Sequence, residues 1–175
     1  MKRPKSVLVL AVLAGAALGV PAIAEGGPST TVLRLDGIGP LRLGMTRTAA
    51  LATGWLGERR PGCPLSGTPP ITYRFTGPKA PRAIRGSVEF ENDRLSTMSF
   101  TRGVRTSTGV TVGRTTTARM VTRYRAAGFT ASARFDRTFQ GTFVRVRRHG
   151  RDVVGGFGEG SVVTIVALPA VPVCE

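Results

Sequence analysis

Beyond an N-terminal apolar run from Val7 to Val20, apolar positions come in short windows whose period switches twice between helical and alternating. The first helical window predicts a cap at Thr46, a helix over Arg47 to Thr53 rich in Ala49, Ala50, Leu51 and Ala52, and a stop at Gly54. The second predicts a cap at Thr115, a helix over Thr116 to Ala127 and a stop at Gly128. Met120, Val121 and Tyr124 fall on one side of that helix, whereas Arg119, Arg123 and Arg125 reach solvent. Alternation follows each helix and predicts strands. Ile71, Tyr73 and Phe75 alternate with Thr72 and Arg74, and Val88 and Phe90 lead through a polar turn at Glu91 to Arg94 into Leu95 and on to Phe100. Later, Ala131, Ala133 and Phe135 alternate with polar neighbours, Phe143 to Arg147 turns at His149-Gly150, and Phe157 pairs with Val162 to Leu168 across Gly158-Glu159-Gly160.

These windows repeat one order of elements. Gly39 to Thr46 recurs as Gly109 to Thr115, with Gly44 and Gly113 offset by 69, while Phe90, Leu95 and Met98 match Phe157, Val162 and Ile165 at an offset of 67. The expectation is an α+β fold of two tandem repeats, 31–104 and 105–175. Each is a helical segment followed by an antiparallel sheet, and together they offer one open sheet face. Gly44 and Gly113 are expected to permit tight strand-to-helix turns.

The phrase Leu43-Gly44-Met45-Thr46 with Ala49, Ala50 and Gly54 resembles the motif that opens each tandem repeat of the secreted β-lactamase inhibitor proteins of actinomycetes. Lipoproteins of outer-membrane assembly carry a related phrase in a single such unit, and small secreted actinobacterial proteins of no known activity are similar too. In the second half Arg114 stands where the motif has methionine. The resemblance implies the tandem fold and, by analogy, inhibition of a secreted enzyme. In that family the target-binding residues lie on the concave sheet and its loops, but no such residue can be matched here by motif.

The leader changes the picture of where this chain works. Lys2, Arg3 and Lys5, the apolar run and Ala22-Ile23-Ala24 predict a signal peptide over 1–24, cleaved after Ala24, and secretion of the remainder. The run is shorter than the ~20 residues that span a bilayer, so no transmembrane segment is expected after cleavage. Residues 25–30 are expected to be a disordered start, and the mature chain a monomer. In an oxidising compartment the two cysteines, Cys63 and Cys174, are expected to form a disulfide. It would close a loop of about 110 residues, worth roughly 4 to 5 kcal/mol in the chain-entropy model. Without the three leader cations the chain keeps 22 basic against 10 acidic residues, a net charge of +12, and Lys79 is its sole lysine. Such a field suits an acidic protein or an anionic envelope polymer. Its dispersed charges argue against nucleic acid, the densest cluster being Arg145, Arg147, Arg148 and Arg151.

No catalytic set emerges. His149, the only histidine, belongs to a turn, and two distant cysteines with one histidine make no metal centre; no cofactor is expected. Glu89, Glu91 and Asp93 form the only local acidic cluster, the basis of an alternative reading as a cell-wall hydrolase. Gly155 to Gly160 lacks both the final glycine and the helix of a phosphate loop and reads as a turn or bulge. The expectation is therefore a non-enzymatic binding module, with a passive envelope component as a further alternative. Arg74, Arg134, Arg145 and Arg147 alternate with apolar neighbours and are the candidate anchors, and Trp55 is expected as a core plug.

Overall fold

The computed structural model describes residues 31–62 and 70–173. The expected leader, residues 25–30 and both cysteines of the expected disulfide lie outside them. Among the described residues twelve strands and two helices follow one another: β1 (Thr31–Arg34), β2 (Gly37–Ile38), β3 (Leu41–Arg42), α1 (Arg47–Ala52), β4 (Arg59–Pro61), β5 (Ile71–Arg74), β6 (Arg85–Glu91), β7 (Arg94–Arg102), β8 (Val104–Thr106), α2 (Thr117–Ala126), β9 (Thr130–Asp136), β10 (Gly141–Arg148), β11 (Arg151–Glu159) and β12 (Ile165–Leu168).

The α+β expectation is overturned: 49% of the described residues lie in strands and 12% in helix, with two sheets of four and eight strands. The helices are close to their expected lengths, six residues in α1 and ten in α2, and end at Gly54 and Gly128 in left-handed backbone at φ 73° and 82°; the difference lies in the strands that outweigh them. The stretch ahead of α1, read from sequence only as a strand-to-helix turn, folds into three short strands. Together with β8 they form a second sheet in the order β3-β2-β1-β8, with β1 and β8 parallel. That pairing carries the first half into the second, and the expected division at 104/105 falls inside β8.

The large sheet is antiparallel throughout in the order β4-β5-β6-β7-β12-β11-β10-β9, so the two meanders join at β7 and β12 through Phe100↔Val166, Ser99↔Ala167 and Met98↔Leu168. The hairpin turns sit where the polar windows predicted them. Asn92 and Asp93 both take positive φ, 49° and 62°, as do His149 and Gly150, 51° and 77°; such two-residue turns match the twist of the flanking strands. Both helices enter through the same hydrogen bonds. Gly44 N donates to Leu95 O and Gly113 N to Val163 O, both at 2.8 Å; Leu95 N donates to Met45 O and Val163 N to Thr115 O, both at 2.9 Å. The strand register is thus 68, one more than the 67 read from sequence, and the buried partner of Leu95 is Val163 rather than the half-exposed Val162. The caps are Thr46 and Thr116, the second one residue later than expected; their hydroxyls accept from Ala49 N and Arg119 N.

One face of the large sheet packs with the helices and the small sheet into a single core. Val88, Met98, Phe100, Val144, Val166 and Leu168 come from the large sheet, Met120 and Tyr124 from α2, and Leu33, Ile38, Leu41 and Val104 from the small sheet. Phe75 and Phe100 stack at 5.0 Å, and Tyr124 meets Phe129 edge-on at 5.6 Å. Gly156 makes room for Met120, whose sulfur a Cβ there would strike. Trp55 is partly buried against this core.

Candidate binding surface

The opposite face carries the candidate anchors. Cross-strand register places Arg74, Ser87, Ser99, Ala167, Gly155, Arg145 and Ser132 in one row across seven strands. Arg74 and Arg145 therefore share a face but stand five strand steps apart, about 24 Å at ~4.8 Å per step. Arg134, opposite Phe143, and Arg147, two residues along β10 from Arg145, gather at the β9–β11 end. The structure brings three of the four anchors together and leaves Arg74 at the far end.

This face is not open along its whole length, a second correction to the expected fold. After β12 the chain turns back and Ala170 and Val171 lie across β11, where a Cβ on Gly155 would collide with the backbone N of Val171. Ala167, in the middle of the row, has no exposed surface. Between this tail and the strands lies a cavity of about 320 Å³, lined by Arg134, Arg145, Asp152, Phe139, Phe143 and Val173 among others.

Local chemistry builds the cavity wall. The Asp136 carboxylate accepts from Thr138 N at 2.9 Å and Phe139 N at 3.3 Å, closing the β9–β10 turn and presenting Phe139. Phe139 meets Phe143 edge-on at 5.6 Å, and Phe143 meets Phe157 at 4.8 Å; the ring of Phe157 lies where Gly141 has no side chain. Beside this aromatic ladder the Asp152 carboxylate is shared, accepting from Arg147 Nε at 2.9 Å and standing 3.7 Å from Arg145 Nε. Among the described residues Arg134 has no carboxylate partner. Two guanidiniums on one carboxylate, with a third unpaired, leave this wall cationic and able to take an acidic group beside an apolar one. Phe139, Phe143 and Asp152 were not singled out from sequence. The signal for Phe143 was present, since period-two alternation puts it on the side of Arg145 and Arg147.

The acidic cluster takes another course. Glu89 faces Thr72 and Thr97 across β5 and β7, and burial, reinforced by the neighbouring Glu91 charge, raises its carboxyl above the ordinary carboxylate range. Asp93 sits in the turn paired with Arg47 at 3.0 Å, and none of the three lines the cavity beside Arg134 and Arg145 or the groove beside Arg74 and Arg85. His149 occupies its turn, whereas Gly155 to Glu159, read from sequence as a turn or bulge, are regularly paired strand within β11 and only Gly160 lies in the turn beyond it. Among the described residues no group of three or more His, Cys, Asp or Glu side chains is placed to hold a metal ion, and no helix is long and apolar enough to cross a membrane. No family model, no curated relative and no solved structure matches this chain.

Proposed function

We propose that the chain is an exported, non-enzymatic binding module that docks an acidic protein on the β9–β11 end of its large sheet. The observation that carries this reading is the aromatic ladder Phe139-Phe143-Phe157 flanked by Arg134, Arg145 and Arg147 beside a cavity. Aromatic and arginine side chains together are the usual dominant anchors of protein interfaces, because rigid aromatic rings bury large area at small entropic cost and arginines form bidentate pairs with carboxylates. The kinship with secreted inhibitor proteins implied by the Leu43 to Thr46 phrase belongs to the same reading, and makes an exported enzyme such as a β-lactamase the first target to try. The test is binding and inhibition against a panel of acidic exported enzymes, comparing the wild type with R134A/R145A and with F143A. A true target loses about 2 kcal/mol of affinity, roughly thirty-fold, with the arginine pair removed. If no panel member is retained, or if the variants bind as the wild type does, the docking surface is wrong.

A further inference from the structure

The far end of the same sheet holds a second, larger concavity that the docking surface does not use. It is a groove of about 870 Å³ between the ends of β5 and β6 and the loop joining them. Phe75, Gly77 and Ile84 are buried beneath it, while Arg74, Arg82 and Arg85 are exposed around it. Three guanidiniums thus surround one groove. The only described carboxylate paired with any of them is Glu58, 3.7 Å from Arg74, and Glu58 makes its closer contact, 2.9 Å, with Arg60.

Arg85 is also pinned. Its Nη1 donates to Arg82 O at 2.7 Å and to Ile84 O at 2.8 Å, which restrains the side chain and leaves the donors on Nε and Nη2 outside those two bonds. A guanidinium already ordered by its own backbone loses little further entropy on taking an anion. Among the described residues Arg82 and Arg85 have no carboxylate partner, so the complementary ligand carries two or more negative charges, which a single carboxylate does not.

We propose that this groove binds an oligophosphate chain, with Arg82 and Arg85 gripping successive phosphates and Arg74 the end nearest β5. The test is calorimetric titration of the full chain with inorganic tripolyphosphate, alongside citrate as a compact anion of similar charge. One saturable site is expected, with affinity falling at least about tenfold in R82A/R85A and unchanged in R134A/R145A at the other end of the sheet. Both rim residues are exposed, so the double variant is expected to keep the wild-type circular dichroism spectrum; should it not, the single variants R82K and R85K carry the comparison. Absence of saturation, citrate binding as tightly as tripolyphosphate, or equal losses from the two arginine pairs would each overturn the proposal, the last by showing only a diffuse field. Because the two arginine pairs occupy opposite ends of the sheet, failure here leaves the protein-docking reading standing, and the reverse.

Discussion

Replacing Tyr124 by phenylalanine is expected to stabilise this protein, against the usual direction of a truncation in a core. Tyr124 has no exposed surface, and its Oη is buried with no hydrogen-bond partner among the described residues. The nearby hydroxyls of Thr106 and Thr108 are engaged with each other at 2.9 Å, and Thr106 Oγ1 also accepts from Val110 N at 3.0 Å. An unpaired buried hydroxyl costs about 1–3 kcal/mol of desolvation, whereas the ring, its packing on Phe129 and the rest of its contacts survive the substitution. A net gain of about 1 kcal/mol corresponds to a rise in Tm of roughly 2–4 °C for a chain of this size. The same residue sets an alkaline limit. Burial raises the phenol above its ordinary range; the Thr106 and Thr108 hydroxyls, close to Oη but out of hydrogen-bond geometry with it, oppose that rise as donors toward it. The unfolded tyrosine ionises first, so it binds fewer protons than the folded one, and stability falls as pH rises past about 10 toward the folded value. Tyr124→Phe removes that contribution to the slope. Thermal unfolding at neutral pH and at alkaline pH checks both statements. A fall in Tm of more than about 2 °C at neutral pH would refute the argument, because it would show that Oη holds a hydrogen bond to one of the threonines.

Glu89→Gln is expected to raise Tm at neutral pH and to lose that advantage in acid. The folded carboxyl titrates above the unfolded one, so the stability tied to its protonated form is complete below about pH 4.3 and disappears as pH climbs through the folded value. Melting curves across that range check it, and parallel wild-type and variant profiles would contradict it. Thr116→Ala removes the hydroxyl that accepts from Arg119 N at 3.2 Å and is expected to cost about 1 kcal/mol, read from urea unfolding with an unchanged slope.

Much of the local structure was legible in the sequence because short-range rules govern it. Thr46 before an alanine-rich window, Gly54 and Gly128 after the helices, and Asn92-Asp93 and His149-Gly150 between alternating runs each act within four residues, and the elements appear there. The register between the two halves slipped by one, from 67 to 68, since a one-residue difference across a hairpin leaves the apolar spacing nearly unchanged while moving the buried position from Val162 to Val163. The small sheet was missed for a related reason: strands of two residues carry too few side chains to show a period, and β1 is completed only by β8, some 70 positions away.

The chain by itself thus determined where the turns, caps and strand faces lie, and through alternation it put Arg145 and Arg147 on one side of a strand. Only the tertiary structure decided that the domain is chiefly β, that Arg134 joins them while Arg74 stands at the opposite end, and that the tail at Ala170 and Val171 walls a cavity beside Phe139 and Phe143. Those facts rest on pairings between residues far apart in sequence. The order of strands across a sheet is settled by burial of the whole apolar face, which no local window contains.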